Sequence, residues 1–127
     1  MGPFDAGWTE EDVDVVLRRN EPDELLYVPI VVGMNADSCE PGWAERICLE
    51  LARHPHFNVR GNAILGLGHI ARTCRVLTLA HVVPVIAAAL TDDNSYVKGH
   101  AYSAASDLHV YLGIVVPGFE PSSWDDD

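Results

Sequence analysis

Val59-Arg60-Gly61-Asn62-Ala63 is matched 38 residues later by Val97-Lys98-Gly99-His100-Ala101, and this repetition decides the fold. In the same register Leu67 falls on Ala105 and Ile70 on Leu108; backwards, Ile47 falls on Val85, Cys48 on Ile86 and Ala52 on Leu90. The correspondence spans a helix, a short loop and a second helix. A helix pair recurring with such a period marks an α-solenoid, in which each pair buries its apolar face only against its neighbours. Val59 and Val97 open the second helices, and Ala63 and Ala101 permit close approach. Gly61 and Gly99 each cost roughly 1 kcal/mol inside a helix, which predicts a compensating tight crossing at both.

Helical patterning continues on either side of the repeat. Thr9 is an N-cap residue followed by acids, with Trp8 placed to staple onto Val13, and predicts a helix from Glu10 to Arg19. Pro22 suits the first position of a second helix, Asp23 to Met34, which Pro29 would kink or break into two short pieces. Helix three, Trp43 to Arg53, puts Trp43, Ile47, Cys48, Leu51 and Ala52 on one face. Helix four, Asn58 to Thr73, does the same with Val59, Ala63, Leu67, Ile70 and Ala71. Leu79 to Leu90 is helix five, with Pro84 tolerated only near its first turns, and Tyr96 to Leu112 is helix six, ended by Gly113. The expectation is an all-α fold with one solenoid domain over residues 1–112. It comprises a degenerate first pair (9–34), a second pair (43–73) and a third pair (79–112), followed by an extended or flexible acidic tail over 113–127.

Length and charge narrow the function. A chain of 127 residues with 48% apolar content holds one core and needs neither metal nor disulfide to be stable. The 19 acids against 8 bases, a net charge of −11, exclude a duplex-DNA or anionic-membrane binder that works through a basic face. The surplus is uneven. Residues 1–24 carry Asp5, Glu10, Glu11, Asp12, Asp14, Glu21, Asp23 and Glu24 against Arg18 and Arg19, and the chain ends in Asp125-Asp126-Asp127. Between Leu51 and Thr91 there is no acid, only Arg53, Arg60, Arg72 and Arg75. Such a field steers a basic partner. Cys39, Cys48 and Cys74, odd in number and without CxxC spacing, fit a reducing compartment, and Met1 to Asp5 lacks a signal-peptide pattern, so a cytoplasmic protein is expected.

Val83-Pro84-Val85-Ile86, Leu90-Thr91-Asp92-Asp93-Asn94 and Val97-Lys98-Gly99-His100-Ala101 follow one further pattern. It runs from a proline-bearing first helix through an Asp-containing turn to Val-Arg/Lys-x-x-Ala. In this the chain resembles the HEAT family of repeats over residues 43–112, although His54-Pro55-His56 replaces the acidic turn of the preceding unit. The resemblance implies a short right-handed solenoid of about three helix pairs whose second helices line a concave surface. Outward positions there would be Asn62, Leu65, His69 and Arg72 of helix four and His100, Ser103, Asp107 and Tyr111 of helix six. With Asp92 and Asp93 of the turn and Trp124 of the tail, these are the candidate partner-binding residues.

No catalytic constellation accompanies them. His54 and His56 read as solvated loop histidines, and no His-Glu dipeptide of the HEAT-like metalloenzymes occurs. Cys48 falls on an apolar face, Cys39 and Cys74 have no histidine placed to activate them, and GxxxxGK[ST], GxSxG and HExxH are all missing. No catalytic, cofactor or metal residue is therefore expected, and the chain reads as a non-enzyme without cofactor. Small HEAT-like proteins occur among bacterial immunity proteins. The resemblance together with the acidity therefore implies a cytoplasmic monomer or small homo-oligomer that neutralises a basic, nuclease-type toxin by occluding its active site. The alternative is a general scaffold or adaptor subunit, and an enzyme acting on a small ligand in the groove is the third class.

Overall fold

The computed structural model describes residues 8–36 and 41–120, and every regular element among them is a helix. The order is α1 (Glu10–Arg19), α2 (Pro22–Leu25), α3 (Val28–Met34), α4 (Pro41–Leu51), α5 (Phe57–Cys74), α6 (Leu79–Ala89) and α7 (Ser95–Leu112). None of these helices is long and apolar enough to cross a membrane.

Local chemistry accounts for most boundaries. Thr9 closes a capping box on α1: its N–H donates to Asp12 Oδ2 (2.8 Å) and its hydroxyl accepts from the Asp12 N–H (3.3 Å). Trp8 stacks on Trp43 of α4, with ring centroids 6.3 Å apart, and so ties the start of α1 to a helix distant in sequence. The predicted second helix is two helices. The break falls at Leu26–Tyr27, so Pro29 lands in the first turn of α3, where a missing N–H costs no helical bond. Pro84, by contrast, lies inside α6 on its exposed side.

The repeat is visible in the caps. His56 Nδ1 accepts from the Asn58 N–H (3.3 Å) to start α5, and Asn94 Oδ1 accepts from the Tyr96 (2.9 Å) and Val97 (3.3 Å) N–H groups to start α7. Both helices end on a left-handed residue, Arg75 (φ 58°) and Gly113 (φ 69°). Start caps and end caps are thus each 38 positions apart, the spacing of the sequence repeat. Histidine performs in the first unit the capping that asparagine performs in the second.

Packing centres on α5, which lies against α3, α4, α6 and α7. Ile64, Leu67 and Ile70 of α5 are fully buried with Leu25, Val28, Val32, Ile86, Val97 and Leu108. Small residues bring the backbones together. A Cβ on Gly33 would stand 3.0 Å from the Gly66 Cα and carbonyl oxygen. One on Gly66 would meet Cys48 Sγ and the Pro29 carbonyl at 2.9 Å, and one on Gly68 would meet the Ala104 Cα at 3.0 Å. The tight crossing expected at Gly61 is present, because the Tyr96 ring lies 2.7 Å from where its Cβ would be. At Gly99 the expectation fails: among the described residues nothing lies within 4 Å of where its Cβ would be.

The segment after α7 is not loose throughout. Val116 and Phe119 are buried, and the Phe119 ring sits 5.0 Å from Tyr102 and 6.2 Å from His109. In repeat register those two residues match Ile64 and Ala71, which are buried in α5. The remainder of the expected tail, with Trp124, lies outside the described residues.

Two glycine substitutions separate open from occupied space. Gly99→Ala removes a helix-interior glycine at no steric cost and is expected to stabilise by about 0.5–1 kcal/mol. Gly66→Ala, which must displace Cys48 and the Pro29 carbonyl, is expected to destabilise by roughly 1–3 kcal/mol. Urea denaturation of the two variants beside the parent chain checks both signs.

Candidate functional site

The sequence repeat brings the second helices of two successive units side by side, and their shared edge carries most of the polar side chains singled out above. Leu65, His69 and Arg72 of α5 and Tyr102, Ser103, Ser106 and Asp107 of α7 line a depression of about 490 Å³. His69, Arg72, Ser103 and Asp107 are thus gathered in one groove. Its geometry follows from the glycines: Gly33 approaches the His69 Cβ, and Gly68 lies beneath the Asp107 carboxylate.

The groove's charges do not simply pair. Arg72 Nη2 bonds His69 Nδ1, and because guanidinium only donates, His69 Nδ1 must be the acceptor of a neutral ring. Burial first, then the neighbouring Arg72 and His100, hold the His69 pKa below its ordinary value. His100 is lowered by burial as well. Asp107 is half-buried and makes no hydrogen bond or ion pair with the described residues. Burial raises its pKa, and the positive field of Arg72 opposes the rise.

An aromatic strip leads into the groove. His56 stacks on Phe57 (5.2 Å), Phe57 meets Tyr96 edge-on (5.8 Å), and Tyr96 meets His100 edge-on (4.3 Å). Phe57 and Tyr96 are 39% and 37% exposed, which leaves wide ring surface open to solvent. Neither was singled out from the sequence. They occupy the first turns of α5 and α7, outside the matched stretches, and only the side-by-side helices bring them together.

Other sequence candidates lie elsewhere. Asn62 is the clear correction: its expected outward position is 4% exposed. Its amide donates to the Leu26 carbonyl (2.9 Å) at the α2–α3 break, and its oxygen accepts from the Tyr96 hydroxyl. The helical register places it toward the neighbouring helix instead of solvent, so it serves as an internal tie. Asp92 is held by Arg60 in a two-pronged pair, Nε to Oδ2 at 2.9 Å and Nη2 to Oδ1 at 3.0 Å. Arg60 Nη1 also donates to the His54 (3.2 Å) and Pro55 (3.0 Å) carbonyls, so one guanidinium joins the loops of successive units. Asp93 is exposed beside this tie. The Arg75 guanidinium covers the Tyr111 ring at 5.6 Å, a cation–π contact.

Neither loop histidine is merely solvated, since His56 caps α5 and His54 Nε2 meets Asn20 Oδ1 at 3.0 Å. Cys48 is fully buried, and burial with the nearby Glu45 pushes its thiol up to about 12, which suits a core residue. Cys74 is half-buried, and Cys39 lies outside the described residues. Among the described residues no three His, Cys, Asp or Glu side chains cluster to hold a metal ion. No protein-family model, curated protein or solved structure matches the chain.

Two pH effects follow. Arg60 and the Asn94 N–H hold Asp92 below its ordinary 3.8, so the pair's stabilisation is complete above that value and fades as pH falls through the lowered one. Its side chains are only 22% and 19% exposed, and Asp92→Asn is expected to cost roughly 1.5–3 kcal/mol at neutral pH, with no difference in strong acid. For His69 and His100 the folded pKa values lie below 6.5, so stability falls as pH drops below that value. A chain carrying His69→Gln and His100→Gln should show a flatter pH–melting curve in that range.

Proposed function

We propose that the chain is a protein-binding module built as a short HEAT-like α-solenoid, and that it acts as a bacterial immunity protein. Its partner is a basic toxin domain of nuclease type, which it neutralises by occluding the active site. The solenoid reading is supported by the recurrence of caps at 38 residues and by α5 packing on both α3 and α7 through backbone-close contacts. Residues 9–34, with α1, α2 and α3, stand as the degenerate first pair.

The single observation that carries the function is the α5/α7 face. The exposed Phe57 and Tyr96 rings lie on the same face as a groove lined by Arg72 and Tyr102, and aromatic residues and arginine are the types enriched at protein interfaces. The charge supports a basic partner. Glu10, Glu11, Asp14, Glu21 and Asp23 are exposed and make no ion pair with described residues, whereas Arg60 and Arg19 are engaged by Asp92 and Glu24. A nuclease must carry Lys and Arg to hold phosphates, and an acidic inhibitor meets them at an electrostatically raised rate.

Co-expression with the product of the adjacent gene tests the proposal. Protection of the cells and a tight complex whose association slows with added salt are expected. The triple variant Glu10→Gln, Glu11→Gln, Asp14→Asn should lower the association rate about threefold to tenfold in stopped-flow mixing at low salt, with dissociation nearly unchanged. A stable complex with a harmless protein, insensitive to salt, would place the chain among adaptor subunits instead.

A further inference from the structure

Arg72 and Asp107 face one groove and carry opposite charges, yet they do not pair. The Arg72 guanidinium instead turns its Nη2 to His69 Nδ1. Asp107, half-buried on α7, has no hydrogen-bond donor among the described residues and keeps its carboxylate open to the groove. Around it the lining is of two kinds. Leu65 and the Tyr102 ring offer apolar wall, and Ser103 and Ser106 offer hydroxyls beside the carboxylate. An open depression with apolar wall beside an acid and hydroxyl acceptors suits a long aliphatic stem with a cationic head. The depression, about 490 Å³, has room for one such side chain.

We infer that the α5/α7 groove receives one lysine side chain of the basic partner, with Asp107 as its counter-charge and His69 as the positioning residue that keeps Arg72 away from that carboxylate. This rests on the basic-partner reading above and names the residue type and contact it requires. The remaining charged or titratable groups there are Arg72, His69 and Tyr102 of the lining and His100 beside His69. Among the described residues Asp107 is the sole acid lining the groove. A guanidinium freed from His69 would compete directly for Asp107, which makes the His69–Arg72 bond part of the recognition device.

The probe is N-acetyl-lysine methylamide, titrated at millimolar concentration into the full chain and followed by amide chemical shifts. Shifts are expected to concentrate at Leu65 and Ser103 to Asp107. The uncharged norleucine analogue, which needs no variant, should leave those signals in place. Asp107→Asn should weaken the lysine response at least fivefold. His69→Leu should weaken it too, and adding Arg72→Gln to His69→Leu should restore it, an outcome that a merely structural role for His69 would not produce. Equal responses to lysine and norleucine analogues, or an unchanged response in folded Asp107→Asn, would overturn the inference. Lysine binding at Asp107 in a chain that protects no cells would leave it standing and remove the immunity reading. A tight, salt-dependent toxin complex indifferent to Asp107→Asn would do the reverse.

Discussion

Backbone-close contact along α5 is the constraint on which the rest of the molecule depends. Helices ordinarily pack with axes 8–10 Å apart, and the lower end requires small residues at the crossing. Gly33 against Gly66 and Gly68 against Ala104 supply them on two sides of one helix. Each contact also places a side chain of the candidate groove. His69 sits one turn from Gly66 and beside α3, and Asp107 sits over Gly68. If either crossing widened, the groove would change shape and the division of charge within it would be lost. Core packing and the candidate site are therefore one problem solved by the same few residues.

Much of this architecture was legible in the amino-acid order because its signals are local. Thr9 and Gly113 announce helix ends through side-chain chemistry and backbone freedom, and both act as expected. The matched stretches at 59–63 and 97–101 exposed the repeat because apolar periodicity survives in a single chain. Pro29 announced a break, but its position within the break depends on how α2 and α3 pack, which no local rule contains.

Site residues were harder to read for a related reason. A helix edge that meets a neighbouring helix and an edge that meets water can carry the same polar residue. Asn62 illustrates the first and His69 a mixture of both, while helical spacing alone groups them. Asp92 reads as a free turn acid until Arg60, 32 residues earlier, is seen to reach it. Phe57 and Tyr96 lack periodic partners in sequence and become a strip only through the α5/α7 contact. The groove was legible as a set of outward positions; which of them interact was not.

The Asn62 amide has a consequence for how a partner would be met. It joins the Leu26 carbonyl, at the break between α2 and α3, to the Tyr96 hydroxyl at the start of α7. Two regions that share no backbone hydrogen bond are thereby set relative to one another through a single buried side chain. Tyr96 in turn fixes the ring positions of Phe57 and His100. The rings of the strip thus rest on one another within the chain, and side chains held by such packing lose less rotamer entropy on association than loose ones. Such preorganisation lets even a modest contact area bind tightly.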